Sequence, residues 1–399
     1  MKQQEMIAVI ADDFTGAAEI GGVGLKYGLD VVIETKFENN VSVDLWIIAA
    51  DTRSLNASEA SEEINTIIKQ LKAKNPTHIF KKLDSVLRGN IATEIEAQLE
   101  AMGKKRAILI AGNPSFGRTI ENGKYMVDAV PLDKTSFSKD PDFPVQSCDV
   151  LSIVKTNDLP VYSLPVNAEI PERGIIIGDV KNQTEMEYWK ELIDEDTMAA
   201  GGAGFFDILL RNKHDEVQTD CRGCLELGDK TLFIFGSKFP KSRNLPMGLK
   251  EEETVKLNMP DEIYQNKDFD TEFIKLWAAQ VVNELEGGKK VIITVEQDYS
   301  SEANLSARIK KNIAVLVKLV SDKTELTDLL IEGGATTSEI LRSLDIVKLF
   351  PSKLLYPGII QLKPSKYPGL TITTKPGSYP WPDDVILKKP NHEKLEELE

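Results

Sequence analysis

Two clusters of charged side chains stand at the ends of apolar runs. Asp12-Asp13-Phe14-Thr15-Gly16 follows residues 6–10, and Lys81-Lys82-Leu83-Asp84-Ser85-Val86-Leu87-Arg88-Gly89-Asn90 closes and follows residues 78–82. A carboxylate in either cluster can accept hydrogen bonds from sugar hydroxyls, and one could take a proton from such a hydroxyl. The other use of Asp12 and Asp13 is to cap the helix that follows. Arg53, in Asp51-Thr52-Arg53-Ser54, offers a planar fork matched to a carboxylate, while Lys81, Lys82 and Arg88 add positive charge beside Asp84 and Ser85. One such lysine alone reads as solvated surface, but the set suits a small polyhydroxy acid.

The second half of the chain carries phosphate-oriented signals. Glu332-Gly333-Gly334-Ala335-Thr336-Thr337-Ser338 lies between a strand pattern and a helix pattern. Its glycines let backbone approach a phosphate, and the helix amino end supplies donors. Gly236-Ser237-Lys238 and Lys375-Pro376-Gly377-Ser378 are further turns of this kind. No Gly-x-x-x-x-Gly-Lys-Ser/Thr occurs, which disfavours an ordinary P-loop ATPase. Cys221-Arg222-Gly223-Cys224 has metal or redox spacing but no second ligand pair, so it reads as a solvated linker.

The elements that must position these groups alternate. Strand-like runs are expected at 7–11, 30–34, 45–50, 78–82, 107–111 and 174–179, with helical patterns between most of them. Ile64, Ile67, Ile68 and Leu71 fall on one helix face, and Asn90 is placed to cap a helix that carries Ile91, Ile95 and Leu99 and ends at Gly103. This is the grammar of a doubly wound parallel sheet, whose carboxyl edge is where ligands bind. A polar stretch over 211–229 breaks the pattern. A new series follows at 231–236, 291–295 and 329–331, with a β excursion at 359–362 and 370–374. The expected domains are 1–228 and 229–399, and the tail 392–399 reads as a frayed charged helix.

At 399 residues and 41% apolar content the chain is long enough for two cores, and its net charge of -15 argues against a nucleic-acid or anionic-membrane surface. No apolar stretch reaches the length of a membrane span, the first ten residues lack a secretory core, and three cysteines fit a reducing compartment. The expected location is the cytoplasm.

Five blocks, in order, resemble the four-carbon acid sugar kinases, which include D-threonate, D-erythronate and 3-oxo-tetronate kinases. They are Ile10-Ala11-Asp12-Asp13-Phe14-Thr15-Gly16-Ala17, Asp51-Thr52-Arg53, the Lys81 to Asn90 cluster, Asn113-Pro114 with Gly117-Arg118-Thr119, and Pro131-Leu132 through Thr135, Phe137, Asp140 and Pro141. The resemblance extends over nearly the whole chain. It implies an α/β protein of two domains, each a Rossmann-like three-layer sandwich with a mainly parallel sheet. An amino-terminal acid-sugar domain would face a carboxy-terminal ATP domain across the cleft that holds the active site. It also implies substrate on Asp12 or Asp13, Arg53, Lys82, Leu83, Asp84 and Ser85, with Arg88 beside them, and ATP on Ser237, Gly333, Gly334, Ala335, Thr336 and Gly377.

The reaction expected on this resemblance is transfer from ATP to the terminal hydroxyl of a four-carbon acid, with Mg²⁺ carried by the nucleotide. Asp12, Asp13 and Asp84 are all candidates for accepting the hydroxyl proton, and metal ligands within the chain are unassigned. The acid sugar and ATP are the expected partners, without nucleic acid or membrane, and a homodimer is compatible with the chain. Two positions depart from the family pattern: Ala335 stands where an acidic residue usually follows the paired glycines, and Tyr379-Pro380 where Phe-Gly usually follows. The rival readings are a non-catalytic sugar-acid or nucleotide-binding regulator, and a dinucleotide-dependent oxidoreductase suggested by Gly21-Gly22-Val23-Gly24 within a helical stretch.

Overall fold

A computed structural model describes residues 5–38, 42–140, 142–156, 158–211, 213–217, 224–235, 249–265, 271–295, 305–377, 381 and 386–388. The chain is mixed α/β and divides into two compact units, Met1–Val217 and Gln218–Glu399.

In chain order the first unit carries β1 (Ile7–Ala11), α1 (Phe14–Lys26), β2 (Val31–Glu34), β3 (Leu45–Ala49), α2 (Ala57–Lys72), β4 (His78–Lys82), α3 (Ile91–Met102), β5 (Arg106–Ile110), β6 (Arg118–Glu121), β7 (Lys124–Val127), β8 (Val130–Pro131), α4 (Val150–Ile153), β9 (Val161–Leu164), β10 (Gly174–Gly178), α5 (Gln183–Glu191), β11 (Thr197–Gly201) and α6 (Ala203–Leu210). Its main sheet runs β2-β3-β1-β4-β11-β5-β10-β9, parallel throughout. A small antiparallel sheet joins β6, β7 and β8.

Helices cover both faces of the main sheet, which is why β1 is buried along its whole length and reads as one apolar run. On one face Trp46 and Ile48 pack with Ile64, Ile67, Ile68 and Leu71 of α2. Asn56 and Glu59 start that helix with a capping box. On the other face α1 lies over Leu45 and Val31, and Phe80 packs on Phe205 and Phe206 of α6. The chain leaves β1 for β2 and β3 on one side and then takes β4 on the other, so β1 is the switch point of the sheet.

The second unit carries β12 (Cys224–Glu226), β13 (Thr231–Phe235), β14 (Thr254–Asn258), α7 (Asp261–Gln265), α8 (Thr271–Glu286), β15 (Lys290–Thr294), α9 (Leu305–Ser321), β16 (Asp328–Glu332), α10 (Gly334–Ser343), β17 (Lys348–Tyr356), β18 (Ile359–Pro364), β19 (Thr371–Lys375) and β20 (Ile386–Lys388). The strand order is β14-β15-β13-β16-β19-β18-β17. The first five are parallel, and β18 is antiparallel to both of its neighbours.

Strands stand at both places expected for the β excursion, β18 and β19; β19 is at the same time a parallel neighbour of β16, with Ile372, Thr373 and Thr374 buried, and β18 pairs antiparallel with both β17 and β19. The expected domain boundary is 228/229; the compact units part at 217/218, and β12 pairs with β20 inside the second unit. Asn90 occupies the start of α3 without capping it. Its amide instead donates to the carbonyls of Thr52 at 3.0 Å and Leu55 at 2.8 Å. Residues 221–223 of the Cys-x-x-Cys segment and the tail 392–399 lie outside the described residues. No described helix is long and apolar enough to cross a membrane.

Candidate functional site

The charged clusters of the first unit meet at the carboxyl ends of three neighbouring strands. β3, β1 and β4 lie in register, with Ala49 beside Ala11 and Ala11 beside Lys82. Asp12 and Asp13 follow β1, Arg53 sits in the single turn Thr52–Ser54 behind β3, and Asp84 comes just after β4. The backbone ties these ends together: the Arg53 N–H donates to Asp12 O at 3.2 Å, and the Asp12 N–H to Lys82 O at 3.3 Å.

The Arg53 guanidinium then bridges all three aspartates. Nε and Nη2 each lie 2.8 Å from Asp12 Oδ2, Nη1 lies 2.8 Å from Asp13 Oδ2, and Nη2 lies 3.5 Å from Asp84 Oδ1. Gly89 makes room for this side chain. With φ at 88° it sits in the left-handed region, and a Cβ there would lie 2.8 Å from Arg53 Cγ. Arg88 extends the network, gripping Asp84 through Nε and Nη2 at 2.8 Å each, reaching Asp140 through Nη1 at 2.7 Å, and lying 5.5 Å from the centroid of the Phe137 ring.

The aspartates differ in kind. Burial pushes the Asp13 carboxyl above its ordinary pKa, helped by the charge on Asp12 and opposed by Arg53 and Lys82. Burial also acts against charge at Asp84, but Arg88 and Arg53 outweigh it and hold that carboxyl far below the usual range. Asp12 is 1% exposed, and among the described residues its buried Oδ1 has no hydrogen-bond partner. Asp13 keeps 14% of its side chain exposed. Its Oδ1 accepts the Gly16 N–H at 2.7 Å, so it caps α1, while Oδ2 faces Arg53.

Lys82 is buried, donates to the Leu83 carbonyl at 2.9 Å and lies 3.5 Å from Glu19 Oε2. Leu83 packs in the core, with its N–H on the Gly201 carbonyl. Ser85 Oγ accepts a hydrogen bond from Arg118 Nη1. Lys81, expected with the other cations, points to the opposite sheet face. There it forms a sealed pair with Glu94, whose other partner is Thr52 Oγ1 at 2.8 Å. Neighbouring strand residues face opposite ways, and Lys81 and Lys82 obey that rule. Sequence reasoning did not assign site roles to Arg118, Asp140, Glu19 or Glu94. The first two stood in blocks of the family pattern, and that was the signal available for them.

In the second unit the same device recurs. β13, β16 and β19 lie side by side, with Phe235 beside Glu332 and Glu332 beside Lys375. The segments expected to meet ATP follow these three ends. The Gly333 N–H donates to Lys375 O at 2.9 Å, which sets the Gly333-Gly334 turn next to Pro376-Gly377. Gly333 has φ at 96°, and a Cβ there would meet only Thr336 Oγ1, at 3.9 Å, so this turn needs glycine and has space above it. Gly334 opens α10. Ala335 is exposed, Thr336 is buried, and Thr337 Oγ1 donates to Gly333 O at 3.0 Å. Ser237 and Tyr379-Pro380 lie outside the described residues. Among the described residues no group of three or more His, Cys, Asp or Glu side chains is arranged to hold a metal ion.

Residues 7–209 match the family described as the sugar-binding N-terminal domain. The chain is 33% identical over 160 residues to D-threonate kinase of Salmonella typhimurium and 30% identical over 154 residues to D-erythronate kinase of Heliobacterium modesticaldum. It belongs to the four-carbon acid sugar kinase family. Those two alignments take in 39% and 37% of this chain, and only 38% and 35% of the relatives' own lengths. A third acid sugar kinase, the 3-oxo-tetronate kinase of Haemophilus influenzae, aligns at 23% identity over 90% of this chain and 93% of its own. The fold is also that of a solved Haemophilus influenzae protein, HI1011, at a TM-score of 0.67, 19% identity, 95% of this chain and 98% of that one.

Proposed function

We propose that this protein is an ATP-dependent kinase that phosphorylates the terminal hydroxyl of a four-carbon acid sugar of the threonate, erythronate or oxo-tetronate class. The observation that carries this reading is Arg53. One guanidinium gathers Asp12, Asp13 and Asp84 from two strand ends, a set of carboxylates that can accept hydrogen bonds from the hydroxyls of a small polyhydroxy acid. The named relatives, all acid sugar kinases, support it.

In this reading Arg53, Lys82 and Arg88 hold the carboxylate end of the acid, with Asp12, Asp84 and Ser85 on its hydroxyls. Asp13, partly exposed and with a raised pKa, accepts the proton of the reacting hydroxyl. The Gly333-Gly334-Ala335-Thr336 turn, Gly377 and Ser237 hold ATP. The open left-handed turn at Gly333 and the amino end of α10 fit a phosphate. ATP brings the phosphoryl group and its Mg²⁺. In this reading the two sites belong to two Rossmann-like domains of a cytoplasmic protein.

A coupled ADP-release assay over four-carbon acids with Mg²⁺, followed by mass spectrometry, tests this. The expected result is a monophosphorylated product from at least one acid. Binding of acid and ATP without ADP release would replace the kinase by a regulator derived from one, a reading that Ala335 favours. Binding of neither would remove both.

A further inference from the structure

The last residues of β16 and β19 form a buried ion pair. Glu332 and Lys375 stand opposite each other in register, with side-chain exposures of 1% and 0%. Lys375 Nζ lies 3.1 Å from Glu332 Oε1 and donates to the Pro376 carbonyl at 3.2 Å. Trp381 Nε1 donates to the same Glu332 Oε1 at 3.0 Å, and the ammonium lies 5.6 Å from the centre of the indole. The Lys375 carbonyl accepts the Gly333 N–H. Lys375 therefore touches both glycine turns, one through its backbone and the other through its side chain.

Such a pair is an expensive way to join two strands. Taking each charge out of water costs several kcal/mol, and well-packed apolar residues at both positions would hold the sheet at least as well. Burial does outweigh the attraction of Glu332, leaving the lysine with a lowered pKa. An apolar pair could not, however, fix the direction of the turns. Hydrogen bonds to charged groups can, because they are directional.

We propose that the Glu332–Lys375 pair, with Trp381 over it, is a positioning device that holds the Gly333 and Gly377 turns in one register for phosphate oxygens. The proposal rests on the reading of this edge as the nucleotide site. Lys375 is a positioning residue, acting through the turns it anchors. Glu332, engaged by Lys375 and Trp381, does not stand in for the acidic residue missing at Ala335.

The test is the full chain carrying Glu332→Gln and Lys375→Met together, which leaves no unpaired buried charge. The double variant should melt near the natural protein and bind the acid substrate unchanged. Its ATP·Mg²⁺ affinity by calorimetry should fall about tenfold or more, as misplaced binding groups do. Amide hydrogen exchange at Gly333 should accelerate. A folded double variant with natural affinity and natural exchange overturns the proposal. If the natural protein binds no ATP while exchange at Gly333 still accelerates in the variant, the positioning device stands and the nucleotide reading falls. Should the double variant not fold, Trp381→Phe removes one hydrogen bond and keeps both charges. It should then weaken ATP about fivefold, the worth of one such bond, and unchanged affinity would overturn the proposal.

Discussion

Asp12, Asp13 and Asp84 all lie against Arg53, yet burial and partners give them different work. Asp13 has the raised pKa and the exposure a proton acceptor needs. Asp13→Asn should therefore lower kcat by about 100-fold or more while leaving acid binding within a small factor. Asparagine is as good a helix cap as aspartate, so the melting temperature should hold or rise. The acid limb of the kcat/KM profile follows from the same group. Activity needs the ionised form, so it should fall as pH drops through a pKa above the ordinary carboxylate value, and a profile without such a limb would move the base elsewhere. Asp84 is the opposite case. Its pKa is depressed in the folded protein, so it contributes stability that is present above the unfolded carboxylate pKa and is lost as pH falls below it. Asp84→Asn should cost about 3 kcal/mol at neutral pH, with the gap to the natural protein closing below about pH 4 in thermal melts.

At the scale of elements, the strands that could be read directly were those buried on both faces. Ile7-Ala8-Val9-Ile10-Ala11 is legible because a covered parallel strand must be apolar throughout. β11, Thr197-Met198-Ala199-Ala200-Gly201, lies between β4 and β5, yet has one β-branched residue, so nothing local marks it as a strand. The site was legible to the extent that it follows strand ends. The separation of Lys81 from Lys82 depends on sheet pleat, and the use of Asn90 as a clamp on the Thr52 turn depends on register between distant segments. Glycine roles likewise became assignable only with dihedrals in hand. The left-handed residue of the turn proposed for the nucleotide is Gly333, and Gly334 is already helical. Gly333→Val should therefore strain the turn and weaken ATP binding, leaving the acid site intact. Gly89→Ala should do the converse, because its Cβ would displace Arg53. Calorimetry with each ligand on each variant checks the pair, and a loss of both ligands in either folded variant would contradict this division.

Each compact unit repeats one plan: a parallel sheet with its chemistry gathered where neighbouring strands end in register, β3-β1-β4 in one and β13-β16-β19 in the other. Neither edge alone contains what phosphoryl transfer needs, since one gathers carboxylates and cations and the other gathers glycine turns. Positioning two bound reactants is the main demand of that reaction. Arg53→Ala should weaken the acid substrate far more than ATP, because the lost contacts lie on the acid side only, and Gly333→Val should weaken ATP alone. Turnover should vanish in both, although each variant still binds one ligand. Mixing the two variants should restore nothing, because in this reading both halves of the reaction must meet within one chain. Recovery of ADP release in the mixture, scaling with the product of the two concentrations, would place the acid of one chain against the nucleotide of another and make the working unit an oligomer.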